Sequence, residues 1–152
     1  MIRILEDAPD DDSFIDLAKE VDEVFKAGGW LESVLDFDHR EEQAKMAGSV
    51  SRSLVRGDHL LFEAGTGGGE SLAYLVPSIL FAKTTKRPCV VATNTISLQE
   101  QLLEKDIPAL RQLLKEIPHL SEFADFKCAL LVGRANYLCS TRLRKTMSGQ
   151  SE

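Results

Sequence analysis

A glycine-rich stretch, FEAGTGGGES at 62–71, has the residue types and nearly the spacing of a phosphate-binding loop. Such a loop has a small residue, four variable positions and then Gly-Lys-Ser or Gly-Lys-Thr. Its glycines let backbone N–H groups point at an anion, and its lysine neutralises phosphate charge. The matching residues here are Ala64, Gly65, Thr66, Gly67, Gly68, Gly69, Glu70 and Ser71. The pattern predicts a phosphate site with one departure, because a glutamate replaces the lysine.

Glu70 changes the energetics of this predicted site. Two unit charges about 4 Å apart interact by about 4 kcal/mol at an effective dielectric near 20, so reversing the sign is costly. The Ser71 hydroxyl would bind Mg²⁺, and the N-terminus of the following helix would add partial positive charge. We therefore expect ATP with Mg²⁺ to bind weakly or not at all. The alternative is a glycine-rich turn without a ligand.

Apolar periodicity predicts the elements that would position this loop. Short apolar runs at 59–63, 89–94 and 127–133 indicate buried parallel strands, because such strands are covered on both faces. Helical spacing predicts helices at 14–25, 41–55, 71–82, 97–106 and from Pro108 onward. Their inner faces would include Ala47, Val50 and Leu54 in the second helix, and Leu110, Leu113 and Leu114 in the last. This order predicts an α/β fold, a parallel sheet with flanking helices, preceded by an N-terminal helix.

The composition is that of an ordinary globular chain. Its 152 residues suggest one domain, and 43% of them are hydrophobic and 28% charged. The sequence has no apolar run long enough for a membrane span and no signal-peptide pattern at its start, so we expect no membrane partner. Three cysteines, an odd number, favour a reducing, cytoplasmic setting over a disulfide framework.

The net charge of −6 is unevenly distributed. Residues 1–42 carry 14 acidic and 4 basic side chains, whereas residues 43–152 carry 10 acidic and 14 basic ones. From Lys127 to Lys145 there are five basic residues and no acidic one. One interpretation is a solvated surface. The other is an acidic leader joined to a domain whose far end faces polyanions.

Four segments occur in an order that resembles one helicase family: HREEQAKMAGSVSRSL, LLFEAGTGGGESLAYLVPSILFA, VVATNTISLQEQLLEKDIPAL and ALLVGRANYLC. Together they are similar to the N-terminal part of a DinG-type helicase, a bacterial relative of XPD in helicase superfamily 2. The resemblance covers about residues 39–142. It implies a partial RecA-like first motor domain at 39–152 that couples ATP hydrolysis to DNA unwinding, usually 5′ to 3′. Residues 1–38 would be an acidic helical extension.

The resemblance also implies roles for individual residues. Arg40 and Gln43 match the motif in which the glutamine contacts adenine; the alternative for Gln43 is a solvent-facing helix position. Gly68 stands where the family usually has threonine or valine. The residues implied to lie along single-stranded DNA are Thr93, Asn94, Thr95 and Gln99. Thr95 has helix capping as its alternative, and the two roles are compatible.

Cys139 matches the start of the family's iron–sulfur insertion, where it would be the first of four cysteine ligands. The alternative is a free thiol, which we expect here because no further cysteine follows. Cys89 and Cys128 are predicted to be core residues. Because the family's later acidic motif and second motor domain do not follow either, we expect this chain alone to be inactive, to bind single-stranded DNA weakly, and to have the rest of a helicase as its partner.

Two other hypotheses remain open at the level of sequence. The chain could be a non-enzymatic module in which a degenerate loop serves as scaffold while the acidic leader or basic tail binds a partner or nucleic acid. It could also be an unrelated phosphate-loop enzyme that uses Glu70 chemically.

Overall fold

Helices provide the regular secondary structure of the residues that the computed structural model describes, 16–65 and 69–148. The α-helices are α1 Leu17–Phe25, α2 Trp30–Leu35, α3 Glu41–Arg56, α4 Glu70–Thr85, α5 Ile96–Gln101, α6 Ile107–Glu116 and α7 Ser140–Met147. A π-helical turn, Leu102–Asp106, joins α5 to α6, and 3₁₀ turns span Pro118–Ala124 and Arg134–Asn136. The first residues of the helix predicted at 14–25 lie outside the described residues.

The predicted α/β, RecA-like fold with a parallel sheet is wrong for the described part of the chain. Within 16–65 and 69–148 the segments 59–63, 89–94 and 127–133 form no strand. Their apolar side chains lie largely in solvent instead: Leu61 is 99% exposed, Val90 86% and Leu131 79%. An apolar run identifies side chains suited to burial, but a strand also needs neighbours that pair its backbone N–H and C=O groups. A helix satisfies those groups within its own segment, so the helical predictions did not depend on distant pairing.

Helix α4 lies at the centre of the core and is apolar on most sides. Its buried residues are Leu72, Ala73, Leu75, Val76, Pro77, Ile79 and Leu80. Helix α3 packs along α4, α1 packs against both, and α6 packs against the 3₁₀ turn at Pro118–Ala124. Burial of one large apolar side chain contributes about 1.5–3 kcal/mol, so this interior holds the start of α4 in place.

The predicted inner faces are correct for α6 and only partly correct for α3. Leu110, Leu113 and Leu114 are at most 1% exposed, as predicted. In α3 the buried side chains are Gln43, Ala47 and Ser51, one helical turn apart, whereas Val50 and Leu54 are half-buried. The buried face of α3 therefore includes a polar residue, Gln43, whose side-chain amide bonds to Gly69 just before α4.

The described part of the acidic extension shares the core of the other helices. Leu17, Val21, Val24 and Phe25 of α1 are buried in it. His119 Nε2 also lies 2.7 Å from Glu20 Oε2, which joins the 3₁₀ turn to α1. The division of the chain at residue 38 stays a prediction. Among the described helices, none combines the length and apolar character needed to cross a bilayer.

Candidate nucleotide-binding site

A cleft of about 280 Å³ lies between the segment before α3 and the start of α4. Its lining residues are Asp36, Phe37, Asp38, Arg40, Gln43, Gly69 and Leu72. Three residues predicted for a nucleotide site, Arg40, Gln43 and Gly69, therefore meet in one place although 29 positions separate the first from the last.

Hydrogen bonds to neighbouring helices fix the wall formed by residues 36–40. Asp36 ends α2 in the left-handed conformation, with φ of 55°. The backbone N–H of His39 donates to Glu32 Oε1 at 3.0 Å, and its Nδ1 lies 3.0 Å from the Phe25 carbonyl oxygen. These contacts tie the segment to both α1 and α2. Arg40 then adopts the extended conformation at the N-cap of α3.

Gln43 connects this wall to the glycine loop. Its side chain is only 7% exposed, and its Nε2 donates to the Gly69 carbonyl oxygen at 2.8 Å. Gly69 has φ of 75°, a left-handed conformation that favours glycine, and a Cβ there would collide with the Gln43 amide. Gln43 is thus not the solvent-facing residue of the alternative interpretation. Its contact with adenine stays a prediction.

The phosphate end of the site is acidic. Glu70 is the first residue of α4, and Glu42 Oε2 lies 3.8 Å from the position of a Cβ on Gly65. Ala64 is half-buried and Gly65 exposed, whereas Thr66, Gly67 and Gly68 lie outside the described residues. The described loop residues provide no cation to face a phosphate.

Ser71, the predicted magnesium ligand, is half-buried at the start of α4, one turn before Tyr74. Burial raises the pKa of the Tyr74 phenol, the nearby Ser71 side chain lowers it, and the carboxylates of Asp106 and Glu70 raise it further. Near the place predicted for magnesium and the phosphates, the described residues thus include the hydroxyl of Ser71 and the carboxylates of Glu42 and Glu70.

The residues predicted to contact DNA lie at the start of α5. Thr95 caps that helix, because its Oγ1 accepts a hydrogen bond from the Leu98 backbone N–H at 3.2 Å. Thr93 Oγ1 donates to the Thr95 carbonyl oxygen at 3.2 Å. Asn94 is exposed and Gln99 half-buried. The capping role of Thr95 is confirmed, and the DNA contacts stay predictions.

Cys139 is an exposed free thiol at the N-cap of α7. Hydrogen bonds from the backbone of Arg142 and Thr141 lower the pKa of this thiol. Cys89 is half-buried and burial raises its pKa, whereas Cys128 is exposed, so its predicted place in the core is wrong. Within the described ranges no group of three or more His, Cys, Asp or Glu residues could hold a metal ion. These residues alone do not fit an iron–sulfur cluster.

Sequence reasoning missed Phe37, which lines the cleft and is 40% exposed. It also missed Asp36 and Asp38, which flank Phe37 on the same wall. The available signal was an aromatic residue between two aspartates, three positions before Arg40. Such a ring presents a face on which a planar base can stack.

Known proteins similar to this chain are bacterial helicases. It is 43% identical to the ATP-dependent helicase DinG of Mycobacterium tuberculosis over 110 residues, which are 72% of this chain and 16% of the relative. It is 36% identical to the ATP-dependent DNA helicase YoaA of Haemophilus influenzae over 135 residues, 88% of this chain and 19% of the relative. It is 33% identical to the ATP-dependent DNA helicase DinG of Salmonella typhimurium over 121 residues, 78% of this chain and 16% of the relative.

No family model matches the sequence, and no solved structure matches it. The chain spans less than a fifth of the length of each of these relatives. The resemblance carried by the four sequence segments is nevertheless confirmed by several relatives at 33–43% identity. Over the residues that these alignments cover, the chain belongs to the DinG-type family of ATP-dependent DNA helicases.

Proposed function

We propose that the chain is the N-terminal, ATP-binding part of a DinG-family helicase that couples ATP hydrolysis to DNA unwinding, with 5′ to 3′ polarity. The observation that carries this proposal is the cleft in which Arg40 and Gln43 meet Gly69 of the loop. The relatives named above are described as ATP-dependent DNA helicases, which supports the same assignment.

The Gln43 side chain suits adenine better than guanine. Its amide offers one carbonyl oxygen and two N–H groups, of which one already bonds to Gly69. The free pair can accept from the exocyclic amine of adenine and donate to its N7, a donor–acceptor arrangement that guanine does not match. Phe37 would stack on the base, and Arg40 lies at the same wall.

Purine selectivity tests this proposal. Adenosine should bind with a Kd at least tenfold lower than guanosine, since a matched amide–base pair contributes about 1–3 kcal/mol of discrimination. Phe37→Ala should weaken adenosine binding by about 1–3 kcal/mol, the usual loss of one stacked ring. Isothermal titration calorimetry measures both.

The matched control is Tyr137→Ala, which removes another exposed aromatic ring that does not line the cleft. It should leave the adenosine affinity unchanged. Equal affinities for adenosine and guanosine, or an equal loss in both variants, would count against the assignment of this cleft to adenine.

We expect no ATP hydrolysis by the chain as it stands. Glu70 occupies the position at which a lysine would neutralise the phosphates. Phosphoryl transfer also needs groups that hold magnesium and orient the attacking water, and the described residues bring no such acidic cluster together. The family resemblance implies an iron–sulfur cluster with Cys139 as one ligand. Such a cluster would need further cysteine ligands besides Cys139.

A second candidate function is a non-enzymatic module that binds nucleic acid or a protein through its basic end. The exposed segment 127–148 favours it, because that segment contains Lys127, Arg134, Arg142, Arg144 and Lys145 without an acidic residue. Tyr137 lies within it and is 53% exposed, so an aromatic face accompanies the positive charge. Cationic side chains and a stacking ring are what a single-stranded nucleic acid requires.

Single-stranded DNA should bind weakly, with a Kd of tens of micromolar or higher, and with little dependence on base sequence. If about three phosphates are neutralised, affinity should fall roughly 18-fold between 50 and 200 mM salt because counterions are released. Fluorescence anisotropy with labelled oligonucleotides at several salt concentrations measures this. Replacing Arg142 and Arg144 by glutamine should weaken binding and flatten the salt dependence.

Lys26→Gln is the control for these changes, since Lys26 is an exposed cation at the C-cap of α1 that pairs with Glu23 at 2.6 Å. It should alter neither the affinity nor its salt dependence. An affinity that does not change with salt would exclude phosphate contacts as the basis of binding. It would also contradict a nucleic-acid-binding role for the basic end of this chain.

A further inference from the structure

We infer that the cleft prefers adenosine and adenosine monophosphate to ATP, the reverse of the order expected of an ATP site. This inference rests on the proposed function, because it assumes that adenine occupies the cleft beside Gln43. It concerns the phosphates of the ligand alone, and it follows from carboxylates at the cleft, near Gly65 and at the start of α4.

The part of the site that would hold adenine is formed by residues of the cleft and does not depend on contacts to phosphate. The cleft of about 280 Å³ has an aromatic wall at Phe37 and a nearly buried amide at Gln43. Hydrogen bonds from His39 to Glu32 and Phe25 hold that wall in place before any ligand arrives. Preorganisation of this kind lowers the entropy cost of binding the base.

Negative charge increases from the cleft toward the loop. The cleft itself has two carboxylates, Asp36 and Asp38, against the single guanidinium of Arg40. Beyond it, Glu42 approaches Gly65 and Glu70 opens α4. Each phosphate added to the ligand therefore brings further negative charge to a region of the described chain that is already acidic.

The N-terminus of α4 does not offset this repulsion. A 16-residue helix presents partial positive charge at its first turn, which favours a bound anion. In this chain Glu70 is the first residue of α4, so its carboxylate already places a negative charge at that turn. An incoming phosphate would compete with a covalently attached anion for the same favourable position.

The test is a calorimetric series with adenosine, AMP, ADP and ATP on the unsubstituted chain, at constant ionic strength, with and without magnesium. The Kd for adenosine and for AMP should be at least tenfold lower than that for ATP, and ADP should lie between them. Glu70→Gln, which keeps the shape and removes the charge, should narrow the difference between adenosine and ATP.

Glu122→Gln is the matched control, because Glu122 is an exposed glutamate on the 3₁₀ turn and does not line the cleft. It should leave the Kd of each of the four ligands unchanged. ATP that binds more tightly than adenosine, in either magnesium condition, overturns the inference while leaving adenine recognition in place. Failure of every adenine ligand to bind overturns the inference and the proposed function together.

Discussion

Replacement of Gly69 by alanine should lower the free energy of unfolding by about 2–5 kcal/mol. Alanine in the left-handed conformation costs about 1–2 kcal/mol, and Gly69 has φ of 75°. The added Cβ would also collide with the Gln43 amide, which is nearly buried and donates to the Gly69 carbonyl oxygen. Displacing that amide leaves buried polar groups without partners, at a cost of about 1–3 kcal/mol. Urea denaturation followed by circular dichroism measures the sum.

Gly57 provides the matched control for this substitution. It ends α3 with a nearly equal φ of 71°, but a Cβ there would meet nothing within 4 Å. Gly57→Ala should therefore show the backbone cost alone, about 1–2 kcal/mol. If the two alanine variants are equally destabilised, Gln43 does not hold the loop. Because the collision is with the cleft residue, only Gly69→Ala should also weaken adenosine binding.

Substitution of Glu70 by lysine should tighten the binding of ATP or ADP with magnesium at least tenfold, about 1.4 kcal/mol. The change replaces a carboxylate by a cation at the first residue of α4, beside the glycine whose carbonyl Gln43 holds. The side chain at this position then attracts the phosphates of the nucleotide instead of repelling them. Titration of nucleotide into both forms of the chain measures the change. Hydrolysis should remain absent, since the groups that orient water and magnesium are not supplied by this substitution.

The same substitution should make folding slightly less favourable. Glu70 lies at the positive end of the α4 dipole, where a carboxylate contributes about 0.3–1 kcal/mol and a lysine is unfavourable. Glu122→Lys makes an equal change of charge at an exposed position outside the cleft. It should leave nucleotide affinity unchanged. An equal gain in both lysine variants would mean that net charge, rather than the position of Glu70, controls binding.

The helices could be predicted from sequence because their determinants are local. Helix α3 ends at Arg56, one residue beyond the predicted range of 41–55, and Leu110, Leu113 and Leu114 point inward because they recur at helical spacing. Strands depend on partners that are distant in sequence, so the apolar run at 59–63 could not by itself establish a sheet. Helices α2 and α7 were missed because one is only six residues long and the other buries no side chain.

Several residues of the candidate site were predicted from sequence, but their arrangement in space was not. Arg40, Gln43 and Gly69 were named from motifs, and the structure brings them to one cleft. The hydrogen bond from Gln43 to Gly69 spans 26 positions, and no local pattern specifies such a contact. Phe37 was missed because an aromatic residue in a charged segment has no periodicity to mark it.

Nuclear magnetic resonance tests most directly whether adenine occupies this cleft. The measurement is a titration of adenosine into the isotopically labelled chain, followed by amide chemical shifts. We predict saturable shifts at the backbone amides of Phe37 and Gly69 and at the side-chain amide of Gln43, with α6 unaffected. Shifts confined to other parts of the chain, or no saturable shifts at millimolar adenosine, would contradict the assignment of the cleft.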